Sequence, residues 1–118
     1  MSQFLYLYRM AESVRQQNMG TPDAAQKSMQ AWMSWMSELD KKGHLKDRGQ
    51  PLEQTGKVVR GQQRSVTDGP YIEAKDLVGG YTIVEANDID QAVELSRGCP
   101  IFQGGGSVEV RPVMKMDF

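Results

Sequence analysis

Residues 21–43, TPDAAQKSMQAWMSWMSELDKKG, read as a helix that lies on a sheet. Thr21 can cap the N-terminus, Pro22 suits the first helical position, and Asp23 favours the positive end of the helix dipole. From there Ala25, Met29, Trp32, Met36 and Leu39 recur at spacings of four, three, four and three, which makes one apolar stripe. Met33 and Trp35 widen it. At this spacing the methionines and tryptophans read as core, filling irregular space against a sheet. Trp35, off the main stripe, is the one free to line a pocket or a partner surface. Lys41 and Lys42 suit the last turn, and Gly43 follows as a left-handed cap.

Upstream, Phe4-Leu5-Tyr6-Leu7-Tyr8-Arg9-Met10 is short, aromatic and apolar, as a strand buried on at least one face should be. Polar residues from Ala11 to Gly20 connect it to the helix. Downstream, His44-Leu45-Lys46 reads as a short strand, ended by the turn-rich Asp47-Arg48-Gly49-Gln50-Pro51. Lys57–Arg60 and Arg64–Thr67 flank Gly61-Gln62-Gln63 as a hairpin. Asp68-Gly69-Pro70-Tyr71 reads as a turn. Gly79-Gly80 opens a strand, Tyr81–Ala86, and Asn87 or Asp88 caps a second helix through Ala92, Val93 and Leu95 that stops at Gly98. Gly104-Gly105-Gly106 leads into a last alternating strand, Ser107–Pro112, whose proline marks an end or an edge.

The order of elements predicts an α+β chain: a ferredoxin-like split β-α-β with an inserted hairpin, built on an antiparallel sheet with both helices on one face. Tyr6/Tyr8 and Tyr81/Ile83 supply aromatic and apolar side chains for both faces of such a sheet. The face away from the helices then needs cover, and a two-fold dimer is the natural way to provide it.

The chain has 118 residues, Lys+Arg 14 against Asp+Glu 15, and 39% hydrophobic residues. These values describe one folded domain over residues 1–118 rather than a disordered chain. No apolar run approaches the roughly 20 residues of a membrane span. Met1-Ser2-Gln3-Phe4 shows no basic region leading into an apolar stretch, so the expected location is the cytoplasm. A single cysteine, Cys99, excludes an internal disulfide and any cysteine-based metal site. Residues 41–64 carry seven basic and two acidic side chains, but residues 65–118 carry four and nine. With no RNA-recognition pattern on Tyr81-Thr82-Ile83-Val84, no nucleic-acid partner is expected.

Val66-Thr67-Asp68-Gly69-Pro70-Tyr71-Ile72-Glu73-Ala74-Lys75, followed by Gly79-Gly80-Tyr81, resembles the signature of the YCII-related family, also called DGPF-domain proteins. Gly98-Cys99-Pro100 and Gly106–Val113 resemble its closing pattern. Gly43-His44-Leu45, Gly49-Gln50-Pro51-Leu52 and Lys57-Val58-Val59 fit its middle region. The resemblance covers nearly the whole chain and implies a dimeric α+β barrel. Tyr71 departs from the signature's Phe and adds a hydroxyl. The wider superfamily includes small lyases, isomerases and monooxygenases acting on ring compounds without a metal. Activity must still be argued from the site.

His44 is the only histidine, and the one side chain here whose reference pKa lies near neutrality. As a catalytic acid/base it would be oriented by Asp68, with Tyr71, Arg9, Gly69 and Pro70 contacting substrate. Alternatively, His44 is a solvated loop residue and Asp68 holds its own turn. Glu73 and Lys75 read as a solvated pair. Arg9 and Arg111 could each bind a carboxylate through a planar guanidinium. Cys99, at the wrong end of a helix for activation, reads as a buried, inert thiol. Gly104-Gly105-Gly106 lacks the Lys-Ser/Thr of a phosphate loop, and one histidine with scattered carboxylates gives no metal-ligand spacing. No cofactor or metal is therefore expected. Two functions remain open: a cofactor-free lyase or isomerase moving protons on a small oxygenated, cyclic or open-chain substrate, and a non-catalytic small-molecule-binding or protein-interaction module. The expected partners are a second copy of the chain, with higher assembly left open, and a small-molecule ligand.

Overall fold

The computed structural model describes residues 1–11, 21–69 and 76–116. Alternation along strand β1 (Ser2–Met10) organises it: Phe4, Tyr6 and Tyr8 are buried, while Leu5 and Leu7 are half-buried on the other face. Helix α1 (Pro22–Lys41), strand β2 (Leu45–Asp47), hairpin strands β3 (Gly56–Arg60) and β4 (Ser65–Gly69), strand β5 (Leu77–Ala86), helix α2 (Ile89–Ser96), a 3₁₀ turn (Pro100–Gly104) and strand β6 (Ser107–Pro112) follow. The four-stranded sheet has the order β2-β5-β1-β6, every pairing antiparallel. With β3 and β4 set apart as their own two-stranded sheet, this is the ferredoxin-like α+β arrangement with an inserted hairpin.

The register sorts the two faces. Tyr6 lies opposite Thr82, Phe4 opposite Val84 and Ser2 opposite Ala86, and Thr82, Val84 and Ala86 are fully buried. Trp35 and Leu39 of α1, Ala92 of α2, Cys99 and Ile101 close over this face. Among the described residues no buried side-chain polar atom lacks a hydrogen-bond partner. Tyr6 donates to the Ala92 carbonyl, Trp35 Nε1 to the Leu95 carbonyl at 3.2 Å, and Tyr8 to Thr82 Oγ1 at 2.7 Å. Thr82 in turn donates to the Arg48 carbonyl at 2.9 Å. Burial raises the pKa of both tyrosines well above its ordinary value, so they act here as neutral donors.

The aromatic rings lock α1 onto β1. Trp35 stacks on Tyr6 at 6.1 Å, and Trp32 meets Tyr8 edge-on at 4.8 Å. Such pairs contribute about 0.5–1.5 kcal/mol each beyond the area they bury. This corrects the sequence expectation for Trp35, which is core and no pocket or partner residue. The expectation that Met29 and Met33 are core is also corrected: they are 64% and 57% exposed. Every residue from Pro22 to Ala31 is exposed, and Met33, two residues before Trp35, falls on the opposite side of the helix from it.

Gly98 serves as more than a helix stop, since a Cβ there would lie 3.2 Å from the Trp35 ring. The segment after β2 is fixed by another close approach. Gly49 has φ +70 and donates to Asp47 Oδ1 at 2.8 Å, which closes a tight turn. The turn lays Gln50-Pro51-Leu52 against β5: Tyr81 N donates to the Gln50 carbonyl and Leu52 N to the Gly79 carbonyl. Gly80, beneath it, has the Gln50 oxygen 3.1 Å from where a Cβ would be.

Gly43 and Gly49 separate two kinds of constraint. Both have positive φ, but a Cβ at Gly43 meets nothing within 4 Å, whereas one at Gly49 would lie 1.7 Å from the Tyr81 carbonyl oxygen. Gly43→Ala should therefore cost about 1 kcal/mol, the left-handed penalty alone. Gly49→Ala should cost at least about 2 kcal/mol more, because the loop must leave the sheet edge. Urea midpoints of the two variants check this ordering.

Candidate functional site

The end of α1 places His44. Lys42 N and Gly43 N turn back to the Glu38 and Asp40 carbonyls, and His44 N donates to the Leu39 carbonyl at 2.8 Å. The next bond joins the sheet: Glu85 N donates to the His44 carbonyl at 2.7 Å. The half-buried imidazole is fixed from the same residue, with Nδ1 2.8 Å from the Glu85 carbonyl oxygen. A carbonyl oxygen only accepts, so in the neutral ring Nδ1 carries the hydrogen and Nε2 keeps the lone pair. That tautomer leaves Nε2 as the proton acceptor.

Asp68 takes another place. It lies within β4, opposite Lys57, and its exposed carboxylate pairs with the Lys57 ammonium. No hydrogen bond or ion pair joins Asp68 to His44 among the described residues. The group that orients His44 is instead the main-chain carbonyl of Glu85. Asp68 thus makes a cross-strand pair on the hairpin, while the turn expected from it onward, through Pro70 and Tyr71, lies outside the described residues. Gly69, opposite Gly56, ends β4 where a Cβ would press 2.7 Å from Val58 Cγ2. Pro70 and Tyr71, with Glu73 and Lys75, lie outside the described residues.

Arg9 belongs to the far end of the sheet. It pairs with Val78, seven residues along β5 from Glu85, which is roughly 23 Å at about 3.3 Å per residue. Within one chain, therefore, Arg9 and His44 do not line a common pocket. Both expected carboxylate-binding arginines have found a carboxylate, but it is the protein's own. Glu109 on β6 lies 3.4 Å from Arg9 Nη1 and 3.3 Å from Arg111 Nη1. Arg9 Nη2 also donates to the Asp76 carbonyl at 3.4 Å, tying β1 to the chain just before β5.

The face of the sheet opposite the helices has an apolar centre. Leu5 lies opposite Ile83 and Leu7 opposite Tyr81, all four half-buried. Glu109 and Arg111, opposite Leu7 and Leu5 on the other side, border this centre with Arg9. Lys46 and Glu85, 4.0 Å apart, border it along β2. Two participants escaped the sequence reading. Glu109 was within reach, because Glu109 and Arg111 alternate with Val108 and Val110 and must share a face. The Glu85 carbonyl was not, since a main-chain acceptor has no residue type to signal it.

Burial pushes the Cys99 thiol up to about 12. At pH 8 such a thiol is thiolate in about one molecule in ten thousand, against about a quarter for an exposed cysteine. Labelling by a thiol-disulfide reagent at pH 8 should therefore be at least about a thousandfold slower in native protein than in urea. A native rate within tenfold of the unfolded one would contradict the burial of this site.

No helix among the described residues is long and apolar enough to cross a membrane. No curated protein matches the chain. The YCII-related domain matches it over residues 1–117, and the chain belongs to the YCII-related family.

Proposed function

We propose that this protein is a small homodimeric enzyme, a lyase or isomerase, that moves a proton on a small oxygenated substrate with Nε2 of His44 as acid/base. The observation that carries the reading is the 2.8 Å contact between His44 Nδ1 and the Glu85 carbonyl. It fixes ring and tautomer at once, the two requirements that a neighbouring acceptor supplies to a catalytic imidazole. The half-buried position leaves the ring reachable from solvent. A second copy of the chain, packed on the Leu5/Leu7/Tyr81/Ile83 face, provides the cover this half-open fold needs. The 19 Å short dimension supports that, because one sheet and one helix layer already fill it.

A second reading, a binding module without chemistry, draws on Asp68. Its carboxylate pairs with Lys57, and among the described residues the His44 ring bonds to a main-chain carbonyl and to no side-chain carboxylate.

Two measurements separate the readings. Long-range ¹H–¹⁵N correlation on the neutral ring should show the hydrogen on Nδ1. Deuterium exchange next to the carbonyl in a panel of small enolisable oxo acids and lactones should be accelerated by the wild type. His44→Ala and His44→Gln should reduce that acceleration at least about a hundredfold, the usual scale for a lost general base. Ligand binding without exchange, undisturbed in both variants and in Asp68→Asn, establishes the binding module instead.

A further inference from the structure

The two borders of the open sheet face carry opposite surpluses of charge. Towards β6, one carboxylate serves two arginines: Glu109 lies 3.4 Å from Arg9 Nη1 and 3.3 Å from Arg111 Nη1. Along β2 the ratio is reversed, with two carboxylates to one lysine. Glu85, between the buried Val84 and Ala86, turns its side chain to the open face, and Lys46 Nζ lies 4.0 Å from it. Asp47 is opposite Ile83 and so shares that face. The register shift between Leu45 and Asp47 lets two sequence neighbours, Lys46 and Asp47, face the same way. His44 belongs to this border as well. One step back from the Leu45–Val84 pair it meets Glu85, and its ring takes up the Glu85 carbonyl while its own N–H serves the Leu39 carbonyl.

We infer that the second copy lies on this face about a two-fold axis parallel to the strands, so that the β6 border of each copy meets the β2 border of the other and sets the partner's Arg111 beside Asp47, Glu85 and His44. The inference rests on the homodimer reading above and adds to it a residue of the second copy at the proposed site. Charge complementarity selects the arrangement. A sheet face offers two aligned two-fold packings. With the axis across the strands, β6 lies over β6 and β2 over β2, so each surplus meets its own sign. With the axis along the strands, β6 lies over β2 at both sides of the interface, and each surplus meets its opposite. The register fits this second packing. Arg111, Leu5, Ile83 and Asp47 form one row across the sheet. The axis lays that row on itself in reverse, Leu5 over the partner's Ile83 and Asp47 over the partner's Arg111. In the same way Leu7 comes to lie over the partner's Tyr81, which keeps the apolar centre together. The row of Glu85 and His44 is two residues further, about 7 Å along the strands. Each proposed acid/base therefore stands at a seam, with a wall from each copy.

The test uses the full-length chain. Lys46→Cys and Arg111→Cys are made separately, carried on chains of different tag length, mixed under dissociating conditions, reassembled and treated with a short bismaleimide. The native Cys99 is buried and stays out of the reaction. Cross-linked heterodimer in excess of either homodimer is the expected result. Arg111→Cys alone should cross-link poorly, because its two cysteines lie on opposite edges, about 14 Å apart over three strand spacings. In sedimentation equilibrium, Arg111→Glu should raise the dimer dissociation constant at least about tenfold, and adding Glu85→Arg should recover most of that loss. The exchange keeps the Glu85 main-chain carbonyl that holds His44 and merely swaps the two surpluses. If the wild type sediments as a monomer at micromolar concentration, the homodimer reading falls and this inference with it. If it is a dimer, the arrangement alone is overturned by any of three results: Arg111→Cys cross-links mainly to itself, the two cysteine variants do not cross-link, or the charge exchange recovers nothing.

Discussion

Everything in this fold hangs on β1 being an interior strand of the sheet. Because β5 and β6 flank it, β1 has no free edge, and its period-two alternation dictates what both faces of the sheet contain. On one face Phe4, Tyr6 and Tyr8 supply the large rings against which α1 must lie. Two tyrosines in a core are tolerated only where their hydroxyls find acceptors. Tyr6 finds the Ala92 carbonyl at α2, and Tyr8 finds Thr82, itself bonded to the Arg48 carbonyl. The same strand therefore fixes the position of α2 and of the loop after β2. A one-residue slip of β1 would bury Leu5 and Leu7 instead and strand both hydroxyls on the other face.

The order of elements and their ends were legible in the residues because local chemistry fixes them. Thr21-Pro22-Asp23 begins α1, Asp88 caps α2 through Gln91 N, and β6 is the edge strand that Pro112 implies. What was hidden depended on length and register. Periodicity does not say which half of the α1 stripe is covered, nor that Met33, two residues from Trp35, turns to the opposite side of the helix, so Met29 and Met33 looked like core. Trp35 looked peripheral because the stripe drawn through Ala25 and Met29 was centred on the exposed half. Once the buried half is taken alone, Trp35 and Leu39 define its inner edge, and Gly98 makes the room that the indole requires.

The same distinction governs the site. His44 was singled out by residue type, and its place at the helix end followed from Gly43. Its orienting partner could not be, because the Glu85 carbonyl belongs to the main chain, and only the register of β2 on β5 brings it there. Asp68 was the obvious carboxylate by proximity in motif, but strand pairing set Lys57 opposite it, and an ion pair across a hairpin is closer than any partner on another sheet. Pairing decides such matters before chemistry does: in an antiparallel ladder each side chain's nearest neighbours are assigned by register.

The charges on the open face bear on how a second copy can lie there. Arg9, Glu109 and Arg111 together carry one net positive charge, and removing such a cluster fully from water is expensive even when it is hydrogen-bonded. Nothing in the register asks for that. Glu109 and Arg111 belong to the edge strand β6, and Lys46 to the opposite edge, β2, so the ionic groups form borders around the Leu5, Leu7, Tyr81 and Ile83 centre. A partner resting on that centre keeps the borders wet, the usual division between apolar core and polar rim. Rim charges of this kind steer approach and reject misaligned partners more than they add affinity. Glu109 is thus best understood as the carboxylate that keeps two arginines parallel to the sheet and clear of its apolar middle. Its removal would free both guanidiniums to fold over Leu5 and Leu7, the surface on which the proposed second copy would rest.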